Sequence, residues 1–174
     1  MPRVGLSKRS EIFLSANPPP RNDPPTNTPG SYILVLHSEA TRTVRIGARG
    51  SLCTLPGYYY YCGSAFGPGG VRARIKRHVR LEKTQRWHID YLRCLLAVRE
   101  VWISFDGKNQ EHIWAGLLNE MRLSEIPMPG FGSSDCRCPA HLFYFKRALA
   151  FGTFRGKARF HGTEHLRNLV CGSL

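Results

Sequence analysis

The chain has 174 residues, 42% of them hydrophobic, which suits one folded domain with a buried core. Its formal net charge of +13 favours a polyanionic partner, above all nucleic acid, because binding to phosphates releases counterions. An anionic membrane surface or ribosomal association is the alternative explanation of the charge. No apolar run is long enough for a transmembrane helix, and the N-terminus lacks a signal-peptide pattern. We therefore expect a cytoplasmic protein with reduced thiols.

Proline and charge divide the chain into three regions. Seven of the twelve prolines lie within residues 1–29, where few apolar residues offset the entropy cost of ordering. We expect residues 1–29 to be a disordered tail, residues 30–146 to be the folded domain, and residues 147–174 to be a basic C-terminal extension. The cations of 155–159 are interpreted either as contacts to a nucleic-acid backbone or as part of a disordered tail. Phe151, Phe154 and Phe160, interleaved with cations, favour binding.

The first half of the domain contains β-favouring runs separated by glycine. Residues 31–36 form a nearly continuous apolar run, typical of a strand buried on both faces. Residues 41–46 are expected to pair with it as a hairpin. Pro56-Gly57 introduces an aromatic strand over 58–62, which a glycine-rich loop over 63–70 ends.

The segment after that loop has the spacing of a basic amphipathic helix. Val71, Ile75 and Val79 recur every four residues and form its buried stripe. Arg74 and His78 are also four apart and project from one neighbouring face. The residues predicted to bind nucleic acid in and after this helix are Arg72, Lys76, Arg77, Arg80 and His88.

Hydrophobic periodicity predicts the remaining elements. Helices are expected over 88–96 and 110–121, strands over 98–105 and 142–145, and a proline- and glycine-rich loop over 122–140. In the helix 110–121, the buried face is expected to consist of residues 113, 114, 117, 118 and 121. These elements predict an α+β domain in which helices flank a small, mostly antiparallel sheet.

Short motifs spread over residues 30–146 resemble the GIY-YIG nuclease superfamily. Gly30-Ser-Tyr32 matches the first half of its signature, and Tyr61-Cys-Gly63, followed by Ser-Ala, matches the second half. Arg74-x-x-x-His78 agrees with the pattern that follows. The segments 87–92, 130–138 and 141–144 are similar to the Uri-like branch, which is largely uncharacterised and sometimes attached to DNA-repair enzymes. The resemblance implies an endonuclease for DNA rather than RNA.

The spacing between the two signature halves departs from the family pattern. Here 28 residues separate Tyr32 from Tyr61, where the family has a tight hairpin. We expect residues 41–56 to add a strand or loop at this point. The site survives this insertion if the two signature strands are adjacent in space.

The resemblance implies a role for each matching residue. Tyr61 is the general base or positions the attacking water, and Arg74 binds two phosphate oxygens through its planar fork. His78 positions or protonates a phosphate oxygen, and Tyr32 completes the pocket wall or hydrogen-bonds a bridging group. Because a free phenol ionises near pH ~10, a tyrosine base needs a neighbouring cation or metal.

The superfamily also implies a metal-binding glutamate on a helix after the third strand. Glu111, at the start of the helix 110–121, is the match, and the implied cation is Mg²⁺ or Mn²⁺ with water and phosphate as its other ligands. A carboxylate at this position also complements the helix dipole without any metal. Tyrosines 58–61 are likewise typical of cross-strand packing, and Arg74 with His78 of a solvated helix face. The joint order of the motifs favours the nuclease site.

Two further groups of residues each have more than one interpretation. Cys136, Cys138 and His141 are zinc-ligand types, with Asp135 or His88 as a fourth, but their spacing is tighter than in common zinc motifs. Ordinary buried thiols are therefore the favoured interpretation. In Trp87-His88-x-Asp90, the histidine is a candidate phosphate contact, and the aspartate either lies at the site edge or complements a helix N-terminus.

Three functions follow from these patterns. The first is a metal-dependent endonuclease acting on DNA in repair or processing, for example on structured, damaged or single-stranded DNA. The second is a non-catalytic nucleic-acid-binding module with the same fold, favoured by the net charge and the altered signature spacing. The third is a zinc-stabilised interaction protein organised by Cys136, Cys138 and His141.

Overall fold

The computed structural model describes residues 27–170. The predicted N-terminal tail lies outside the described residues except for 27–29, and the last four residues of the chain also lie outside them. None of the described helices is long and apolar enough to cross a membrane.

A five-stranded antiparallel sheet organises the described part of the chain, in the strand order β6-β4-β1-β5-β7. The predicted α+β class, with helices flanking an antiparallel sheet, is confirmed. In chain order the elements are β1 (Ser31–Ser38), β2 (Arg42–Arg45), β3 (Ser51–Thr54), β4 (Gly57–Ser64), α1 (Gly70–Val79), α2 (His88–Arg93), β5 (Ala97–Ser104), α3 (Glu111–Asn119), β6 (Leu142–Phe145), α4 (Phe151–Phe160) and β7 (Leu166–Val170).

The two signature strands are neighbours despite the inserted segment between them. β1 runs antiparallel to β4, with Tyr32 opposite Gly63 and Leu34 opposite Tyr61. Because strand side chains alternate between faces, Tyr32, Leu34 and Tyr61 lie on the same face of the sheet, where all three are buried. The adjacency that the site requires is therefore present.

The expected hairpin between residues 41–46 and the first strand is wrong. β2 pairs with β3 in a separate two-stranded sheet. β1 lies in the centre of the main sheet, with β4 on one side and β5 on the other, so it has no free edge for β2. Ile46 and Leu52 of the inserted segment are buried with residues of α1 and α2, so the insert packs onto one face of the main sheet.

Helices cover both faces of the main sheet. α1 and α2 bury Val71, Ile75 and Leu92 against the face that carries Tyr61. α3 and α4 bury Trp114 and Phe154, among others, against the opposite face. Full burial of a large apolar side chain stabilises the fold by about 1.5–3 kcal/mol, so both layers contribute to stability.

The predicted helices are present, and α2 and α3 are shorter than the predicted ranges 88–96 and 110–121. One residue expected to be buried is exposed. Ile113, expected on the buried face of α3, is 42% exposed, because α3 turns Trp114, Leu117 and Leu118 inward.

The C-terminal segment is part of the same folded unit. β7 pairs with β5 at the edge of the main sheet, so the expected boundary at 146/147 does not separate two units. The disordered-tail interpretation of 155–159 is wrong, since these residues lie in α4. Phe151 and Phe154 pack against Trp102 rather than offering rings to nucleic acid, whereas Phe160 is 93% exposed.

Candidate active site

A cavity of about 480 Å³ lies at the end of the sheet where β1 begins and β4 ends. Its walls come from both signature strands, from α1, from the start of α2, from the start of α3 and from the loop before β6. The lining residues are Tyr32, Tyr61, Gly63, Ser64, Arg74, Arg86, Trp87, His88, Glu111, Gly132, Ser134 and Asp135. The structure thus brings Tyr32, Tyr61, Arg74 and Glu111 to one cavity, and leaves His78 behind its wall.

Tyr61 is the tyrosine of the run 58–61 that lines the cavity. Its ring lies edge-on to Phe131, and 8% of the residue is exposed. In the described part of the chain its hydroxyl has no hydrogen-bond partner, whereas the hydroxyls of Tyr59 and Tyr60 bond to backbone groups. The Tyr61 hydroxyl therefore remains available to a ligand in the cavity.

Burial decides the protonation state of this phenol. Removal from water, and then the charge of Glu111, raise the pKa of Tyr61 well above its ordinary value, while Arg74 lowers it by less. At neutral pH the group is a neutral hydroxyl that donates one hydrogen bond and accepts others. This state suits positioning of a water molecule rather than service as a phenolate base.

His78 supports Tyr32 instead of facing the cavity. The Tyr32 hydroxyl lies 2.8 Å from His78 Nε2, and His78 has no exposed surface. Burial, and then the nearby Lys83, lower the pKa of His78 to about 3, so the imidazole is neutral. The sequence-based role of His78 as a direct phosphate contact does not fit this placement, because Tyr32 stands between them in the wall.

Gly63 makes room for the Tyr32 ring. The two residues are directly opposite each other on β4 and β1, and a Cβ at position 63 would overlap the end of the Tyr32 ring. That ring cannot swing aside cheaply, because it is 2% exposed and bonded to His78. A glycine at the second signature half is thus a packing requirement of the first.

Arg74 lines the cavity beside an aromatic ring. Its guanidinium carbon lies 4.3 Å from the centroid of the Trp87 ring. Such stacking occupies the face of the guanidinium and leaves its N–H edge able to bind oxygen atoms of a phosphate. In the described part of the chain no carboxylate forms an ion pair with Arg74, so its charge is not neutralised there.

Glu111 lies at the first residue of α3 and is fixed by two contacts. Ser64 Oγ donates a 2.6 Å hydrogen bond to Oε2, and His141 Nδ1 lies 3.0 Å from Oε1 in a contact that departs from linear hydrogen-bond geometry. Burial raises the pKa of Glu111, but the contacts with His141 and Ser64 outweigh it and hold the pKa below its usual range. Glu111 is therefore an ionised carboxylate at neutral pH.

The oxygen donors of this cavity fit a hard divalent cation. Glu111 and Asp135 both line it, and a carboxylate oxygen retains acceptor capacity after one hydrogen bond. Mg²⁺ and Mn²⁺ bind proteins through one or two carboxylates and keep water or phosphate as their other ligands. The implied cation is thus compatible with the residues present.

The predicted nucleic-acid contacts divide into two groups. Arg72 and Lys76 on α1, and Arg80 directly after it, are exposed. Arg77 is instead half-buried, with its guanidinium 4.6 Å from the Trp87 ring centroid and 2.9 Å from Asp90. The structure therefore assigns Arg77 mainly to holding the segment before α2.

Asp90 is a structural residue behind the site. It is 1% exposed, and its Oδ2 accepts hydrogen bonds from the backbone N–H groups of Arg86 and Trp87. Lys83 Nζ lies 2.8 Å from the other oxygen. Of the two sequence-based interpretations, complementing the start of a helix is the one that the geometry supports.

His88 lies at the edge of the cavity and holds the opposite loop. Its Nδ1 accepts a hydrogen bond from the Gly132 backbone N–H at 3.1 Å. Burial, and then Arg49, lower the pKa of His88, so it is neutral with an N–H left at Nε2. Arg49, from the inserted segment, also reaches this loop, with a 3.2 Å hydrogen bond to Ser134 Oγ. The insert thus braces the cavity wall.

The structure gathers the cysteine motif with a histidine that the sequence analysis missed. The ligand atoms of His112, Cys136, Cys138 and His141 all lie within 4.8 Å of one another. His112 comes from α3 and replaces Asp135 and His88, the two residues suggested as a fourth ligand. The signal in the sequence was weak, because His112 is 24 residues from Cys136, the nearest cysteine of the cluster.

Several other cavity residues were not identified as functional from sequence, among them Ser64, Arg86, Trp87 and Gly132. Ser64 belongs to the quoted signature but its bond to Glu111 depends on the fold. Arg86, Trp87 and Gly132 lie in segments that approach β4 only in the folded protein. The local sequence pattern does not predict this approach. Gly132, at φ +77°, leaves space that a Cβ would take from the Tyr61 ring and the side chain of His141.

An α+β fold with an antiparallel sheet and a polar cavity at the paired signature strands is consistent with a GIY-YIG-like protein. Comparison with family models matches residues 31–155 to the family described as Domain of unknown function DUF123. The match covers well over half of the chain, so the chain belongs to the DUF123 family, which is GIY-YIG-like. Searches of curated proteins and of solved structures found no match.

Proposed function

We propose that this protein is a metal-dependent endonuclease of the GIY-YIG type, in the Uri-like branch, that hydrolyses phosphodiester bonds in DNA. The observation that carries the proposal is the convergence of Tyr61, Arg74 and Glu111 on one cavity, although they are spread over 51 positions of the chain. A hydroxyl, a guanidinium and an ionised carboxylate are the groups that water positioning, phosphate binding and cation binding require.

Arg74 binds the scissile phosphate in this proposal. Its stacked, unpaired guanidinium offers a planar fork to two phosphate oxygens and stabilises the negative charge that develops on them. Arg86 adds a second positive charge to the same cavity. The exposed cations Arg72 and Lys76 on α1, with Arg80 directly after it, are placed to extend the contact to neighbouring phosphates.

Tyr61 orients the attacking water through its free hydroxyl. Because burial keeps the phenol protonated, the group acts as a hydrogen-bonding guide, and the proton of the water passes to a carboxylate oxygen of the cavity lining. Tyr32 forms the adjacent wall and is itself fixed by His78. The neutral His88, with an N–H at Nε2, is a further donor at the rim.

Glu111 would hold the divalent cation, and Asp135 is the second carboxylate that lines the cavity. Mg²⁺ or Mn²⁺ held there would supply Lewis-acid polarisation of the phosphate. Ser64 and His141 keep the Glu111 carboxylate in place and ionised.

A cleavage assay at fixed salt concentration tests the proposal. The full chain is incubated with single-stranded, duplex, flap and branched DNA, and with matched RNA, with and without added Mn²⁺ or Mg²⁺. We expect cleavage of at least one DNA substrate only when the cation is present. Lack of cleavage of every substrate in both cations, by protein that binds them, would overturn it.

A second candidate is a non-catalytic nucleic-acid-binding module that keeps the fold. It is favoured by the contacts at both oxygens of Glu111 and by the exposed cations of α1. This candidate predicts salt-dependent binding with no turnover in either cation, which is the contrary outcome of the same assay.

A further inference from the structure

Next to the proposed active site, the structure places a second cluster of a different chemical type. Two histidines and two cysteines converge from two segments, the start of α3 and the loop before β6. Their ligand atoms lie within 4.8 Å of one another. The residues are His112, Cys136, Cys138 and His141.

Two contacts within this cluster have the spacing of tetrahedral zinc ligands, and all four ligand atoms lie within 4.8 Å of one another. Cys136 Sγ lies 3.4 Å from His141 Nε2, and Cys138 Sγ lies 3.4 Å from His112 Nδ1. Zinc–sulfur and zinc–nitrogen bonds of about 2.3 and 2.0 Å give tetrahedral ligand–ligand separations of about 3.4–3.8 Å. Both cysteines are free thiols, and they alternate with Arg137, so both can turn to the same side of the loop.

We propose that His112, Cys136, Cys138 and His141 bind one structural zinc ion. Sulfur and imidazole donors select zinc over Mg²⁺, whereas the oxygen donors of the neighbouring cavity have the opposite preference. Four protein ligands close the coordination shell, which is the arrangement of a structural rather than a catalytic zinc.

The zinc fixes the wall of the active site. It ties the loop that carries Gly132, Ser134 and Asp135 to the start of α3 and to β6. With Nε2 of His141 on the metal side, its Nδ1 is the nitrogen that lies 3.0 Å from Glu111. A carboxylate behind a metal-bound histidine is the usual arrangement around zinc, and here that carboxylate belongs to the proposed catalytic cavity. This inference stands without the proposed nuclease function.

Metal analysis of the full chain tests the proposal. Protein expressed in zinc-supplemented medium and dialysed extensively is expected to retain about one zinc per chain. The variants Cys138→Ser and His112→Ala are expected to lose it. Cys94→Ser and His161→Ala, which alter exposed residues outside the cluster, are the matched controls and are expected to keep it.

Cobalt substitution gives a readout that does not depend on the folding of variants. Wild-type protein loaded with Co²⁺ is expected to show a thiolate-to-cobalt charge-transfer band and the visible bands of tetrahedral coordination. Absence of both the zinc and these bands from folded wild-type protein would overturn the proposal, as would full zinc retention in Cys138→Ser. Tyr61→Phe, expected to lose cleavage while retaining zinc, separates this proposal from the nuclease proposal.

Discussion

The Tyr32 hydroxyl and His78 Nε2 lie 2.8 Å apart, between a signature strand and a helix that are 46 residues distant in the chain. Both side chains are almost completely buried. The pair therefore couples the position of α1, which carries Arg74, to the strand that forms the floor of the cavity. His78 acts as a positioning residue through Tyr32.

Removal of the Tyr32 hydroxyl is expected to destabilise the protein. Tyr32→Phe leaves the buried Nε2 of His78 without a partner, which costs about 1–3 kcal/mol of unfolding free energy. Chemical denaturation measures this loss. Tyr58→Phe, at a half-buried tyrosine of the neighbouring strand, is the control and is expected to have a much smaller effect. Equal losses in the two variants would contradict the account.

His78 predicts a loss of stability in mild acid. In the folded protein burial, and then Lys83, lower the pKa of His78 to about 3, whereas the unfolded histidine binds its proton near pH 6.5. Between these values the unfolded chain binds more protons. The neutral His78 therefore makes its full contribution to the free energy of unfolding above pH ~6.5. Below that pH this contribution decreases, by at most about 1.4 kcal/mol per pH unit.

Denaturation of wild type and His78→Gln between about pH 5 and 6.5 measures this slope, above the range in which carboxyl groups titrate. We expect a shallower slope in His78→Gln, and an unchanged slope in His161→Gln at the exposed end of α4. An identical slope in wild type and His78→Gln would show that the imidazole is not held neutral.

Gly63 and Gly116 are predicted to respond to alanine in opposite ways. Gly63→Ala places a methyl group against the buried Tyr32 ring, which is expected to cost about 1–3 kcal/mol and to lower any cleavage activity. Gly116, within α3, has open space around it, so Gly116→Ala is expected to stabilise by about 0.5–1 kcal/mol. Thermal denaturation compares the two. A neutral Gly63→Ala would mean that the ring moves freely.

Substitution of Asp90, which lies outside the cavity, is predicted to lower the free energy of unfolding strongly. Asp90→Ala removes the partner of Lys83, whose side chain is only 4% exposed, and leaves a buried charge unpaired. Breaking such a pair costs about 3–5 kcal/mol. Glu82→Ala, at an exposed acid nearby, is the control for denaturation. A loss below about 1 kcal/mol in Asp90→Ala would contradict the role assigned to it.

Local pattern was sufficient for the elements that carry the signature. The apolar run of β1, the aromatic run of β4 and the four-residue spacing of α1 each encode a buried surface, so their positions were predictable. Strand pairing was not predictable, because residues 41–46 have β propensity but the local sequence does not determine which strand they pair with. β7 was missed because its five residues, with Arg167 and Asn168 adjacent, show no apolar–polar alternation, and its partner β5 precedes it by more than 60 residues.

The residues of the candidate site also divide into those that the local sequence predicts and those that depend on the fold. Tyr61, Arg74 and Glu111 were identified because residues of the right type stand in the right order. His78 was misplaced because helix spacing gives its direction but not its depth in the core. His112 could not be identified as a partner of Cys136 and Cys138, since their proximity arises only when the loop before β6 folds onto α3.

The Tyr61 hydroxyl is proposed to orient the attacking water, and a comparison of Tyr61→Phe with Tyr58→Phe tests this role. Both changes remove one hydroxyl from β4, but only Tyr61 lines the cavity. DNA cleavage rates in Mn²⁺ are measured alongside DNA binding at the same salt concentration. We predict that Tyr61→Phe lowers the cleavage rate by about 10²-fold or more while binding is retained, and that Tyr58→Phe leaves both unchanged. Cleavage by Tyr61→Phe at the wild-type rate would contradict the account.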